Sequence, residues 1–284
     1  MKLPYFLLAA TFAGLFQIDA ADPIPDDRRI SGIAIGCQAY TFNRFTAFEA
    51  IEKTAASGAK LIELYPGQKL SPAEPDVKLD HNASPETLEK VKAKLKEHDI
   101  MAVAYGVVGL SKDEAESRKV FEFAKTMGIR VINTESVDAL DTFEKLVREY
   151  DIQVGFHNHP KRGNDPNYKV WDPGYIAELV KDRDPRIGAC VDTGHWMRSG
   201  LKPVACLRIL KGRIVSSHLK DLNAYGKGSH DVPYGTGEAD MPAILDELAA
   251  QGFSGPASIE YEHNWENSLP EVTRCVEFLK SREG

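Results

Sequence analysis

Residues 187–200 read IGACVDTGHWMRSG, residues 202–212 KPVACLRILKG, and residues 213–222 RIVSSHLKDL. A short apolar run ends in Asp192 and His195. A helix-like segment follows, and a second apolar run ends in His218, Lys220 and Asp221. Twice, a strand of buried character carries metal-binding or acid–base residues at its C-terminal end. Parallel α/β barrels collect their chemistry at that end, where the loops after the strands converge.

The same unit recurs along the chain. Short apolar runs predict strands over residues 33–42, 60–65, 100–108, 130–134, 152–156, 187–191, 214–217 and 257–261. Helical spacing predicts helices over 46–57, 112–127, 139–150, 173–181, 203–210, 242–250 and 270–281, with one more opening at Ser84-Pro85. There Ser84 is placed to cap the helix and Pro85 to start it. Residues 68–83 and 223–238 read as loops. The strands are mostly non-alternating, as parallel strands covered on both faces should be. Eight strand–helix pairs predict an α/β fold, a single-domain (β/α)8 TIM barrel over 31–284, with a doubly wound open sheet as the alternative.

The chain begins MKLPYFLLAATFAGLFQIDAADP. Lys2 precedes an apolar run, and small residues surround Ala20 and Ala21. These are features of a cleaved secretory signal over residues 1–21. The run is shorter than the about 20 residues that a membrane span needs. A periplasmic or secreted location is expected, with no membrane association after cleavage and a flexible lead-in over 22–30. The four cysteines, Cys37, Cys190, Cys206 and Cys275, lie far apart in apolar runs and read as buried thiols. A net charge of -7 does not suit nucleic acid, whose binding rests on counterion release to basic side chains.

Histidine is unevenly placed. His157, His159, His195 and His218 fall at or just past strand C-termini, His81, His230 and His263 in loops after strands, and His98 at a helix end. Histidine is both a metal ligand and an acid–base group near neutral pH. Glu135, Asp192, Glu260 and Glu262 join it at the same barrel end. Residues two apart in a strand face one way, so His157 pairs with His159, Glu260 with Glu262, and His218 with Lys220. An Asp/Glu/His set without thiolate suits Mn2+, Mg2+, Co2+ or Zn2+. The alternative for these residues is a buried polar network without metal. Trp196, Trp265, Tyr65 and Tyr105 also lie near strand ends, where flat faces could stack on sugar rings.

In VDTGHW (residues 191–196), SSHLKDL (216–222), YGTGEAD (234–240) and ASIEYE (257–262), the chain resembles the xylose-isomerase-like TIM-barrel family. That family includes sugar phosphate isomerases/epimerases, inosose dehydratases, ketose 3-epimerases and endonuclease IV. The resemblance implies one divalent metal held by a Glu after strand five, an Asp after six, a His after seven and a Glu after eight. Asp192, His218 and Glu260 match the last three. Strand five departs, ending Phe156-His157-Asn158-His159, so either His157 or Glu135 is the expected fourth ligand. This ending looks more like the inosose-dehydratase and keto-sugar branch than the 3-epimerases.

The implied chemistry is metal-assisted proton abstraction next to a carbonyl of a small carbohydrate substrate. Glu260, His159 or Lys220 would take the proton, and His195 would orient or protonate an oxygen. Isomerisation or epimerisation is the leading outcome. The alternatives are a dehydratase or lyase on an inosose or 3-keto-glycoside, a non-catalytic sugar-binding barrel, and a phosphodiesterase like endonuclease IV. A homo-oligomer is left open.

Overall fold

A parallel strand must return to the same sheet edge through a crossover, and the amphipathic segments between the apolar runs supply one each time. The computed structural model describes residues 23–282. Eight strands form a closed barrel in chain order: β1 Ala34–Gln38, β2 Leu61–Leu64, β3 Met101–Tyr105, β4 Val131–Thr134, β5 Gln153–His157, β6 Ile187–Asp192, β7 Ile214–Leu219 and β8 Pro256–Ile259. Parallel pairing of β1 with β8 closes it, with Ala34 opposite Pro256 and Cys37 opposite Ile259. The helices are α1 Ala47–Ser57, α2 Pro85–Glu97, α3 Glu114–Met127, α4 Leu140–Tyr150, α5 Pro173–Val180, α6 Thr193–Arg198, α7 Pro203–Ile209, α8 Met241–Ala250 and α9 Leu269–Lys280. The barrel is the expected architecture, and the open-sheet alternative is excluded by its closure.

Local sequence starts and stops these elements. Thr46 and Glu49 form a reciprocal capping box on α1, and Gly58 ends the helix at φ 87. A cap of this kind stabilises by about 1 kcal/mol. Ser84 accepts from Thr87 N to open α2, with Pro85 in the first turn. Strand β1 is shorter than the apolar run that announced it, because residues 39–42 turn into a 3-10 segment. Helix α6 leaves β6 directly, capped by the Asp192 side chain, a turn that the sequence reading did not separate.

The main apolar core lies between strands and helices and joins Ile35, Ile62, Phe121, Phe143, Phe156 and Leu248. Inside the barrel the composition changes with height. Ile24, Ala34, Leu61 and Val103 form an apolar floor. Above it lie the buried polar residues Glu63, Asn133, Ser216, His218 and Ser258. The two-residue period of the strands lifts Leu61 to Glu63 on β2 and Ser216 to His218 on β7. The barrel is therefore polar inside toward its C-terminal mouth.

Three segments differ from their sequence reading. Residues 68–83 are not only loop: Gln68–Ser71 and Glu74–Leu79 pair as an antiparallel ribbon. Leu70 and Leu79 are buried beneath it, and Gln68 Nε2 donates to Phe45 O at 3.2 Å. The loop at 223–238 is tied by Asp221–Leu222 pairing with Asp231–Val232. The Asp221 carboxylate accepts from Gly235 N, Gly237 N and Ala239 N at 2.9, 3.0 and 3.1 Å. A Cβ at Gly237 would stand 2.3 Å from Asp221 Oδ1, so only glycine lets the loop close on that carboxylate. The lead-in, read as flexible, packs: Ile24 and Ile30 are buried, and Arg29 donates to Ser254 O at 3.3 Å. Two apolar anchors in a polar stretch were enough to hold it.

Residues 1–21, the expected leader, lie outside the described residues. All four cysteines are free and buried. Among the described residues, no helix is long and apolar enough to cross a membrane.

Candidate metal centre and active site

Four strand ends deliver four ligating side chains to one point. His157 ends β5, Asp192 ends β6, His218 is on β7, and Glu260 follows β8. All four are buried, and one ligand atom from each lies within 4.8 Å of the others. His157 Nε2 stands 3.6 Å from Asp192 Oδ2, and His218 Nδ1 stands 3.2 Å from Glu260 Oε2. Neither ring nitrogen of His157 has a hydrogen-bond partner, nor has His218 Nδ1. A buried polar atom without a partner costs about 1–3 kcal/mol. A divalent cation would satisfy one nitrogen of each ring, and mixed N/O donors are the right chemistry for it. The residues present thus fit the metal that the sequence implies. Asn158 points the other way from its histidine neighbours and clamps the Asp192 backbone, donating to Asp192 O at 3.0 Å and accepting from Asp192 N at 2.8 Å.

Lys220 is the second cationic feature. Its Nζ lies 2.7 Å from Asp192 Oδ2, 2.5 Å from Glu260 Oε2 and 3.0 Å from Glu262 Oε2, with the side chain fully buried. Burial alone would strip its proton. The charges of Asp192, Glu260 and Glu262 outweigh that and hold the ammonium well above the usual lysine range. Burial likewise works against the carboxylates. His195 and Lys220 nevertheless hold Asp192 well below its usual range, and Lys220 and His218 do the same for Glu260. Asp231 is the exception, pushed up to about 7 by burial despite Lys220 and Arg198. Five acidic side chains (Glu63, Asp192, Asp231, Glu260, Glu262) share this region with two permanent cations, Lys220 and Arg198. The excess of negative charge is the electrostatic counterpart of the unpartnered nitrogens.

Two further histidines frame the centre. His195 Nδ1 lies 3.1 Å from Arg198 Nη1, which can only donate. Nδ1 therefore accepts, and the neutral ring carries its proton on Nε2, 3.6 Å from Asp192 Oδ2. Burial keeps this imidazole well below the usual histidine range. Arg198 also bonds Glu262 and Asp231, each at 2.8 Å. His159 stacks on His195 at 4.9 Å, and its Nδ1 is hydrogen-bonded to Glu135 Oε1. Tyr168 OH donates to the same oxygen at 2.7 Å. Burial would depress the His159 imidazole, but the hydrogen bond and charge of Glu135 raise it overall.

A cavity of about 330 Å³ opens over this floor, lined by Gln38, Tyr40, Tyr65, His157, His159 and Glu262 among others. A wider one of about 480 Å³ lies at the opposite barrel end against Ile24, Arg29 and Phe253, away from every candidate ligand. The ligand groups and the mouth cavity coincide, so the smaller cavity is the candidate site.

The candidate ligands and acid–base residues therefore converge. His157, Asp192, His218 and Glu260 form the buried set. Glu135 falls in a more open group with His157 and His159, and His195 groups with Glu260 and Glu262. His81, in contrast, is tied to Tyr105 OH at 3.2 Å, while His230 and His263 pair with each other at 4.5 Å. Of the aromatic residues, Trp196 and Tyr105 are fully buried and offer no face to a sugar. Tyr65 and Trp265 stay at the mouth, both edge-on to Tyr40. Sequence reasoning missed Glu63, Arg198 and Tyr168. Glu63 had a signal, an acidic residue inside the apolar run KLIELY.

The Lys220 arrangement makes a direct prediction. Lys220→Met leaves the buried carboxylates of Asp192 and Glu260, and the part-exposed one of Glu262, without their ammonium. Breaking a buried ion pair costs about 3–5 kcal/mol. Urea unfolding of the metal-free protein should show a loss of that order. A midpoint equal to the wild type would contradict the proposed charge balance.

Comparison with known proteins agrees with this geometry. A family model described as xylose isomerase-like TIM barrel matches residues 51–282. An inosose dehydratase from Clostridium tetani is 29% identical over 142 residues, 44% of this chain and 45% of its own. The rhizopine catabolism protein MocC of Rhizobium meliloti is 30% identical over 147 residues, 46% of this chain and 42% of its own. The chain thus spans somewhat less than half the length of these relatives. Over nearly the whole barrel, an uncharacterised protein from Parabacteroides distasonis superposes with a TM-score of 0.70 and 30% identity, covering 88% of this chain and 99% of that one. A D-allulose 3-epimerase from Methylomonas sp. shares the fold with a TM-score of 0.65 at 17% identity, covering 88% and 98%. With a family match over most of its length and a barrel closed in the same order as its strands, the chain belongs to the xylose isomerase-like TIM-barrel family.

Proposed function

We propose that this protein removes a proton next to the carbonyl of a sugar or keto-sugar, with a divalent metal ion held by His157, Asp192, His218 and Glu260. The observation that carries the reading is the set of unpartnered ring nitrogens of His157 and His218 beside two buried carboxylates, beneath a cavity at the barrel mouth. When bound, the ion supplies Lewis acidity for a substrate carbonyl. Mn2+, Mg2+, Co2+ and Zn2+ all suit the donors.

The protein's own groups divide the remaining work. His159 lines the cavity, and Glu135 holds its Nδ1, which leaves Nε2 to exchange a proton with the substrate. In this reading Glu135 serves His159 rather than the metal. His195 offers its Nε2–H to a substrate oxygen, its tautomer fixed by Arg198. Lys220 holds Asp192, Glu260 and Glu262 in place as a charged crosslink.

Elimination of a β-oxygen substituent, as in a dehydratase or lyase, is the outcome these residues support best. His157 stands where the 3-epimerases implied by the resemblance carry a glutamate base, so one carboxylate of a two-carboxylate shuttle is missing. His159, raised by Glu135, is suited to take the proton next to the carbonyl on Nε2 and return it to the departing oxygen, which leaves as water or an alcohol. The partial likeness to inosose dehydratases supports the same class. Reprotonation, giving isomerisation or epimerisation, is the second reading. It is favoured by the presence of both His159 and Glu262 in the cavity wall, from two different strand ends. The acidic lining suits neither reading with a phosphodiester. The composition of residues 1–21 supports an exported location, which fits a free rather than a phosphorylated sugar.

Incubation with Mn2+ in D2O and a panel of inososes, ketoses and 3-keto-glycosides, followed by NMR, tests the reaction. Metal-dependent deuterium entry at a carbon next to the carbonyl, with loss of a substituent, is expected. Substrate binding without exchange across the panel would contradict proton abstraction. The pH dependence gives a second expectation. Glu135 raises the His159 imidazole, so Glu135→Gln lowers it, and the limb of the kcat/KM profile that reports His159 moves to lower pH. A limb that stays in place would remove His159 from the proton transfer.

A further inference from the structure

Glu63 takes no part in the chemistry above, yet it is a fully buried carboxylate inside the barrel. Burying a charge there is costly unless it is well paired, and three other strands contribute to pairing it. Its Oε1 accepts from Asn133 Nδ2 on β4 at 2.8 Å. Its Oε2 accepts from Ser258 Oγ on β8 at 2.8 Å and lies 2.9 Å from His218 Nε2 on β7. The backbone makes room for this arrangement. A Cβ at Gly106 would stand 2.6 Å from Asn133 Cβ, and one at Gly155 would stand 2.8 Å from Asn133 Oδ1. The two glycines leave space for the asparagine that steadies Glu63.

The contact with His218 has a chemical consequence. A carboxylate only accepts hydrogen bonds, so the proton between Glu63 and His218 sits on Nε2. A neutral imidazole with its proton on Nε2 has its lone pair on Nδ1. Nδ1 is the atom that faces Glu260 Oε2 at 3.2 Å and has no hydrogen-bond partner. We infer that Glu63 is a positioning residue that fixes the Nε2–H form of His218 and aims its Nδ1 lone pair at the Asp192–Glu260 group. That is the form in which His218 can ligate a divalent cation, so the inference rests on the metal reading given above. Outer hydrogen-bond partners of this kind typically contribute about 10–100-fold to metal affinity.

Mn2+ binding to the full chain, measured by calorimetry, tests this without reference to turnover. Glu63→Met removes the acceptor, and Mn2+ should bind about 10–100-fold more weakly. Glu63→Gln keeps one acceptor oxygen and should fall between Met and the wild type. It carries the test if the Met variant does not fold by circular dichroism. Ser258→Ala removes a donor to Glu63 but leaves the His218 contact, and its loss should be smaller than that of Glu63→Gln. The Co2+-loaded wild type should show a paramagnetically shifted, slowly exchanging imidazole N–H in its NMR spectrum, and Glu63→Met should remove it. A purely structural role would not move that signal. Affinities within two-fold of the wild type (roughly 0.4 kcal/mol or less by the standard relation) in both Glu63 variants would overturn the positioning role alone, as would an N–H signal that survives in Glu63→Met. Failure of the wild-type protein to bind Mn2+ or Co2+ at all would overturn both this inference and the metal reading beneath it.

Discussion

Three carboxylate groups meet one ammonium at the mouth of the barrel. Lys220 Nζ touches Asp192, Glu260 and Glu262 within 3.0 Å, and the lysine is buried. Charges removed from water must be compensated locally, because the energy of leaving one unpaired exceeds most of what packing can supply. The three carboxylates come from the ends of β6 and β8, and the lysine from the end of β7. None of these contacts survives a shift in strand register, since a one-residue slip turns every side chain to the other face. Barrel closure and charge balance therefore depend on each other.

The polar interior extends this dependence downward. From Lys220 the contacts pass through Glu260 to His218, from His218 to Glu63, and from Glu63 to Asn133 and Ser258. The chain of contacts ends above the apolar floor of Ile24, Leu61 and Val103. Rigid strands hold the groups that must not move, while the loops supply those that shape the cavity. One such loop, after β7, is itself fixed by the three backbone bonds to Asp221. The result is a mouth in which His159 and Glu262 can face a substrate while the buried excess of negative charge is held by side chains on strands.

Much of this was legible in the sequence because it followed from periodicity and position. Short apolar runs ending in His, Asp or Glu marked the strands and the functional end together, and His157, Asp192, His218 and Glu260 were found that way. Other features left weaker marks. The ribbon at 68–79 is polar on its exposed face, and its buried Leu70 and Leu79 are too few to show a strand pattern. Arg198 looked like any helix-end arginine, and only the fold of α6 turns it toward Asp231 and Glu262. Trp196 sat at the right place for a sugar platform, yet it packs in the core, because α6 starts directly at the end of β6. Whether Glu135 or His157 joins the buried set depends on three-dimensional contacts, and Tyr168 and His159 draw Glu135 away from it.

The central claim is that one divalent cation belongs among His157, Asp192, His218 and Glu260. A crystal of the protein soaked in Mn2+, with data collected for anomalous scattering from manganese, tests it most directly. The account predicts a single strong peak between those four side chains, with Glu135 still bonded to His159. A peak on Glu135 and His159, a peak on His195 and Glu262, or no ordered manganese at the barrel mouth would contradict it.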